Sequence, residues 1–273
     1  MKIKHLLCFI ALCLFFTPGK AQQLSVMTLR NGATVYIWED KSKPDVFGMI
    51  AFKVGSVDDP EQYTGLAHYL EHVMFKGTQT IDALDWEKEK PIYEKIIAKY
   101  DERAALSDPA AREAIDKEIN DLTREAAQYA AGNEFSLLVD HMGGQGLNAS
   151  TGYDQTEYHN SFPPSQLEKW LEIYSERLID PVFRGFQTEL EAVYEEYNMY
   201  NDDRGSRMRE FIYEQAFGDH PYARPIIGLP EHLKNPQLSK LIDFYNTWYG
   251  PQNMSIILVG NIDAKEAIPM IRD

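Results

Sequence analysis

Two histidines and a glutamate lie within one short segment of the chain, Leu66–Val73, which has the sequence LAHYLEHV. Residues four apart share a face of a helix, so His68 and His72 can direct their imidazoles at one cation. Neutral imidazoles are common zinc ligands, and zinc lowers the pKa of a bound water toward about 7. Glu71 lies between the two histidines in projection and can accept a proton when that water attacks a peptide carbonyl. The spacing therefore predicts a hydrolytic zinc site with Glu71 as its general base.

The opposite side of this predicted helix is apolar. Leu66, Leu70 and Val73 fall together on a helical wheel, away from the histidines and the glutamate. Such a helix buries its apolar stripe in the core and turns its polar face toward a cleft. Thr64 is placed to cap the start of the helix, and Gly77 is placed to end it. The alternative interpretation is a surface helix whose two histidines bind no metal.

A second acidic segment, 189–196 (ELEAVYEE), can supply the third protein ligand that a catalytic zinc needs. Glu189 and Glu196 are seven residues apart, which is about two helical turns, and therefore share a face. Glu195 points away from that face. The spacing favours Glu189 or Glu196 over Glu195 as the ligand, and the alternative is a charged helix exposed to solvent.

The N-terminal residues have the layout of a secretory signal peptide. A basic start is followed by the apolar run Leu6–Phe16 and by small residues at Gly19 and Ala21. The run is short for a membrane-spanning helix, so we expect residues 1–21 to be cleaved and the chain to be exported, with the bacterial periplasm as its compartment. The alternative is a retained N-terminal anchor. No later segment is apolar enough to predict a membrane span.

Charge and cysteine content narrow the function further. The net charge of −15 becomes −18 when the three lysines of the signal segment are removed, because that segment contains no acid. Such a surface repels nucleic acid and anionic lipid, which excludes both as partners. Cys8 and Cys13 both lie in the signal segment. The mature chain therefore lacks thiols, and any metal site must be built from histidines and carboxylates.

The order of predicted elements is typical of an α+β domain over residues 22–273, with helices packed on a largely antiparallel sheet. The alternating residues 23–40 predict a hairpin whose turn is Asn31-Gly32. The other predicted elements are a strand at 46–54, a helix at 64–76, a strand pair at 147–161, helices at 163–178, 188–201, 208–217 and 239–248, a buried strand at 254–259, and a last helix from Asp263.

The segment 82–131 differs from the rest in being rich in Ala, Glu, Lys and Arg, with a break at Ser107-Asp108-Pro109. This composition predicts two long polar helices packed as an antiparallel pair and inserted into the main domain. Because the segment is polar and locally paired, we expect few contacts with the core to depend on it.

His68-x-x-Glu71-His72, followed by the pair Glu189 and Glu196, resembles the inverted-zincin peptidases of the pitrilysin/insulinase family (M16 type). The resemblance implies one zinc ion held by His68, His72 and Glu196. It implies that Glu71 is the base and that Glu189 supports the metal site. It suits the N-terminal catalytic domain of a secreted bacterial member.

The resemblance extends along the chain, although His72 and Glu196 are further apart than is usual in the family by about the length of the helical pair. The segment 146–151 (GLNAST) is similar to the family's substrate-binding edge strand, which implies that Asn148, Ala149 and Thr151 contact a peptide. An exposed strand edge can bind an extended peptide through main-chain hydrogen bonds.

The resemblance implies a zinc-dependent endopeptidase whose substrate is enclosed between this domain and a second homologous domain or subunit. The last helical pattern runs to Asp273, so we expect that second half to be missing from this chain. A non-catalytic scaffold or partner subunit of the same fold is the main alternative, and a zinc hydrolase acting on bonds other than peptides is another.

Overall fold

A six-stranded mixed sheet organises the protein, as seen in a computed structural model that describes residues 23–272. The strands are β1 (Gln23–Thr28), β2 (Thr34–Glu39), β3 (Val46–Phe52), β4 (Gln145–Thr151), β5 (Thr156–Phe162) and β6 (Met254–Gly260). Their order is β1-β2-β6-β3-β5-β4. The β2–β6 pair is parallel and the other four pairs are antiparallel. The predicted α+β class with a largely antiparallel sheet is therefore confirmed.

Ten α-helices accompany the sheet within the described range. They are α1 (Leu66–Val73), α2 (Trp86–Ala105), α3 (Pro109–Ala126), α4 (Glu134–His141), α5 (Leu167–Ile179), α6 (Phe186–Asp202), α7 (Arg204–Phe217), α8 (Pro230–Leu233), α9 (Leu238–Trp248) and α10 (Ala264–Arg272). The sequence patterns missed the short helices α4 and α8, because one or two turns carry little periodicity.

Period-two burial on β3 shows which face of the sheet packs against the helices. Val46, Gly48, Ile50 and Phe52 are all buried. A Cβ at Gly48 would lie 2.6 Å from the ring of Trp170 on α5, so only glycine allows this helix to approach the strand so closely. The sheet and α5 thus form a rigid base beneath the elements that carry the candidate site.

The start of α1 differs from its prediction. Gly65 precedes the helix with a φ of 90°, and the Thr64 side chain does not cap it. The buried carboxylate of Asp59 accepts the backbone N–H groups of Gly65 at 2.7 Å and of Ala67 at 2.8 Å. The Thr64 hydroxyl instead accepts the N–H of Leu229 at 2.9 Å. The predicted Thr64 cap is wrong because the left-handed turn at Gly65 directs Thr64 toward the α8 region and leaves the helix start to Asp59.

The predicted pair of inserted helices is present as α2 and α3, and Asp108 caps α3 by accepting the N–H of Ala111 at 3.1 Å. The expectation that few core contacts depend on the pair is wrong. Its apolar stripe joins the main core through six buried residues, Ile92, Ile96, Tyr100, Ile115, Ile119 and Ala126. The overall polarity of the segment concealed this stripe, since each helix buries only one residue per turn.

Residues 1–22 and Asp273 lie outside the described range, and so does the predicted signal peptide. Among residues 23–272, no helix has the length and apolar character that crossing a bilayer requires.

Candidate metal centre

Helices α1 and α6 bring three potential metal ligands together. The Glu196 Oε2 atom lies 3.5 Å from Nε2 of His72 and 3.7 Å from Nε2 of His68. Each residue offers a ligand atom within 4.8 Å of those of the other two. The side chains are 11%, 24% and 31% exposed for His68, His72 and Glu196, so the cluster lies at the wall of a cleft and is open on one side.

The donor set fits a zinc ion. Two imidazole nitrogens and one carboxylate oxygen, with room for a fourth ligand, are the usual composition of a catalytic zinc site. Zinc binds such atoms at about 2.0–2.1 Å, so the three ligands need to move together only slightly from their present separations. No hydrogen bond orients the ring of His68 through its second nitrogen. This atom, Nδ1, is buried and has no hydrogen-bond partner among the described residues.

Glu189 lies behind the cluster. Its Oε2 atom is 3.6 Å from Nδ1 of His72, and its Oε1 atom forms an ion pair with Nζ of Lys76 at 2.6 Å. A carboxylate on the far nitrogen of a ligating imidazole fixes the orientation and tautomer of the ring. Glu196 thus lies beside Nε2 of His72, and Glu189 lies beside Nδ1 of the same ring.

The two histidines differ in proton affinity. Burial lowers the pKa of His68 to about 4, and the charge of His72 adds to the effect. Burial also acts to lower the pKa of His72, but hydrogen bonds to Glu189 and Glu196 outweigh it and raise that pKa to about 9. The bond to His72 holds the pKa of Glu196 below its ordinary value. At neutral pH the cluster therefore carries one proton on His72, which a metal cation has to displace.

Glu71 lies on the same helix face and is buried. The Thr151 hydroxyl donates to Glu71 Oε2 at 2.6 Å, which orients the carboxylate. Burial raises the pKa of Glu71 above its ordinary value, and the bond from Thr151 opposes this shift. A fixed carboxylate with a raised pKa suits proton transfer at neutral pH.

The cleft beside the cluster has a volume of about 690 Å³. Asn148 and Ala149 of the edge strand β4 line one wall. The hydroxyl of Thr151 donates to Glu71, and the contact of Thr151 with a peptide stays a prediction. Within the described part of the chain, β4 pairs only with β5, and its other edge is free to receive an extended peptide.

The sequence analysis did not predict the residues of α7 that also line the cleft. Helix α7 supplies Arg209 and Tyr213, and the Tyr213 ring stacks on Tyr153 with centroids 5.4 Å apart. Arg209 and Tyr213 are four residues apart and share a helix face. That spacing was available in the sequence, but nothing in it indicated that this face borders the metal cluster.

Two sequence models of one protein family match the chain. The model described as insulinase (peptidase family M16) matches residues 34–90 and 122–229, which is more than half of the chain. The model described as peptidase M16 inactive domain matches residues 237–273. The second match includes β6, which lies between β2 and β3 in the sheet.

Relatives of the chain are named as zinc proteases. An uncharacterized zinc protease of Mycobacterium leprae is 26% identical over 222 residues, which are 81% of this chain and 39% of the relative. The probable zinc protease PqqL of Escherichia coli is 25% identical over 264 residues, which are 92% of this chain and 23% of PqqL. The chain thus spans well under half the length of these relatives.

Solved structures agree with the fold. A protease from Helicobacter pylori superposes with a TM-score of 0.70 at 22% identity, covering 92% of this chain and 49% of the protease. The first half of the periplasmic protease PqqL from Escherichia coli superposes with a TM-score of 0.68 at 25% identity, covering 92% of this chain and 46% of that half.

Proposed function

The chain belongs to the insulinase family of peptidases, peptidase family M16, and on that premise we propose that it is the catalytic domain of a zinc-dependent endopeptidase. The observation that carries the proposal is the juxtaposition of His68, His72 and Glu196 with their ligand atoms within 4.8 Å of one another. Glu71 lies beside this cluster, held by Thr151, with no other described partner for its carboxylate.

Each residue has a distinct role in the proposed reaction. His68, His72 and Glu196 hold one zinc ion, which when bound acidifies a water molecule and polarises a carbonyl. Glu71 accepts a proton on its carboxylate as the water attacks the peptide carbon, and then donates it to the leaving nitrogen. Glu189 keeps the His72 ring in place through Nδ1, and Lys76 holds Glu189.

The substrate proposed here is an extended peptide. Main-chain groups of β4 around Asn148 and Ala149 can bind it as an added strand along the free edge. This strand ends at Thr151, which touches Glu71, so a peptide in that position passes directly over the catalytic carboxylate. Addition of a strand selects extended chains and leaves side-chain preference to the rest of the cleft.

A second homologous domain or subunit is proposed to close the cleft, because the relatives named above are more than twice as long as this chain. Closure would exclude water and position the scissile bond, and a misplacement of about 1 Å can reduce a rate by a factor of about 100. We therefore expect slow turnover by this chain alone. Its compartment is proposed to be the periplasm after cleavage of the signal at residues 1–21, as the solved E. coli relative is described as periplasmic.

The test combines metal analysis with a peptide assay on the chain from residue 22 onward. Zinc content is measured after dialysis, and hydrolysis of an unstructured peptide library is followed with and without a chelator. The proposal predicts one zinc per chain and hydrolysis that the chelator abolishes and zinc restores. Hydrolysis that persists without zinc, or a chain that binds none, would refute it.

A further inference from the structure

The inserted helical hairpin, made of α2 and α3 (residues 86–126), contains a segment that interrupts the match to the family model. The matches stop at residue 90 and resume at residue 122. Nevertheless the hairpin lies against the metal-bearing helices rather than on the outside of the domain. Two of its contacts reach these helices or the residues that flank them, one through an aromatic residue and one through an ion pair.

The aromatic contact begins at Tyr100 of α2, which is 1% exposed. Its ring packs edge-on against Phe186, with centroids 4.8 Å apart and an interplanar angle of 72°. Its hydroxyl donates a long hydrogen bond to Oε1 of Gln187 at 3.4 Å. Phe186 and Gln187 are the first two residues of α6, the helix that carries Glu189 and Glu196.

The same ring of Phe186 also contacts α1. Its centroid is 4.8 Å from that of Tyr69, and the Tyr69 hydroxyl donates to the carbonyl oxygen of Phe186. Tyr69 is 3% exposed and is the neighbour of His68. Tyr100, Phe186 and Tyr69 therefore form a continuous chain of three rings from the hairpin to both helices that hold the proposed ligands.

The ion pair involves Arg184, which lies two residues before the start of α6. Arg184 donates from Nε and Nη2 to the two carboxylate oxygens of Glu89, at 2.6 and 2.8 Å, and Glu89 is 1% exposed. Arg184 also donates from Nη1 to the carbonyl oxygen of Lys76 at 3.2 Å. Lys76 in turn holds Glu189. A bidentate, buried pair of this kind fixes geometry at both ends.

We propose that the inserted hairpin positions the zinc site, with Tyr100 as the positioning residue that sets the start of α6 relative to α1. The inference rests on the proposed zinc function. The three proposed ligands lie on α1 and α6, two helices that are far apart in the sequence and are not joined by a loop. The separation of these helices therefore determines the distance between Glu196 and the two imidazoles. The Tyr100 ring fills the junction where that separation is set, and removing it lets α6 move.

The test compares three variants of the whole chain. Tyr100→Ala removes the ring, and Tyr100→Phe keeps the ring but not the hydroxyl. Ile115→Ala is the control, because Ile115 is also buried in the hairpin, at 7% exposed, but belongs to α3 and is outside the chain of three rings. Zinc affinity is measured by competition with a chromophoric chelator, and the visible spectrum of the cobalt-substituted protein reports ligand geometry. Thermal unfolding of the metal-free protein and kcat and KM complete the set.

We expect Tyr100→Ala to weaken zinc binding by about tenfold, the lower end of the range for residues that orient metal ligands, and to change the cobalt spectrum. It should lower kcat at saturating zinc more than it raises KM. Tyr100→Phe should resemble the parent. Ile115→Ala should lower the unfolding temperature while leaving zinc affinity and the cobalt spectrum unchanged. If Tyr100→Ala does not fold, Tyr100→Leu, which retains apolar volume without the ring, replaces it.

Two results overturn the positioning role. One is a Tyr100→Ala protein whose zinc affinity and spectrum equal those of the parent. The other is an Ile115→Ala protein that loses as much zinc affinity as Tyr100→Ala, because the effect would then be general destabilisation. A parent chain that binds no zinc refutes the proposed function itself, and this outcome is visible before any variant is made.

Discussion

Helix α1 and the inserted hairpin both contribute to the proposed metal centre. The residues of α1 that form it are close together in the sequence, whereas the hairpin acts through contacts between residues that are distant in the sequence. In α1, two proposed ligands and the proposed base lie within five residues, and helical geometry alone brings them together. The hairpin contributes no ligand. It reaches the centre through Tyr100 and Glu89, which contact residues 86 and 95 positions further along the chain. The comparison teaches that local spacing selects the ligands, whereas long-range packing sets the distances between them.

The largest effect is expected from the base on α1. Glu71→Gln should reduce hydrolysis by about 10²–10⁴-fold, because proton transfer is lost, and should leave zinc content unchanged, because Glu71 is not a ligand. Zinc analysis and initial rates on one peptide check both statements. Glu157→Gln, which alters another carboxylate near β4 that bonds only Ser150, is the control and should act at the parent rate. A Glu71→Gln protein with parent activity would show that the motif in α1 has another use.

The next effect is expected on α6, where adjacent glutamates differ in their contacts. Glu196→Ala should weaken zinc binding by more than about a hundredfold, beyond the range for residues that only orient ligands. Glu195→Ala should leave zinc binding unchanged, because Glu195 is exposed and lies outside the cluster. The pair is compared by zinc titration. Equal affinity in the two variants would contradict the ligand set and remove the basis for comparing α1 with the hairpin.

A smaller and graded effect is expected from pH. The pKa of His72 is raised to about 9, so below that pH zinc must displace a proton from the ring. The apparent zinc affinity should therefore increase by about tenfold per pH unit on approaching pH 9 from neutral pH and then level off. His68, with its pKa lowered to about 4, contributes no further dependence in this window. Calorimetry in two buffers of different ionisation enthalpy should detect about one proton released per zinc at pH 7; no release would contradict the assignment.

The sequence predicted the parts of the fold that depend on near neighbours. The hairpin at Asn31-Gly32, the histidine helix and the glutamate helix all follow from periodicity and turn chemistry within a few residues. The cap of α1 was missed because its carboxylate, Asp59, lies outside the helix pattern, and Gly65 takes a left-handed conformation that redirects Thr64. Such contacts depend on how the chain folds back on itself, and they cannot be predicted from residue types alone.

The candidate site divides in the same way. His68, Glu71 and His72 could be predicted from one segment, but the choice between Glu189 and Glu196 needed either a family resemblance or the packing of α6 on α1. The wall formed by Arg209 and Tyr213 and the anchoring of the hairpin by Glu89 and Arg184 needed the tertiary structure. The polar composition of the hairpin even predicted the opposite of what its buried residues do.

The most direct test of the zinc site is anomalous diffraction at the zinc edge, from crystals of this chain grown with equimolar zinc. We predict one strong peak about 2.0–2.1 Å from Nε2 of His68, Nε2 of His72 and a carboxylate oxygen of Glu196. Glu71 should lie outside bonding distance of the peak, and so should Glu189, which should keep its contacts with Nδ1 of His72 and with Lys76. No peak in the cleft, or a peak bound by Glu189 in place of Glu196, would contradict the proposed centre.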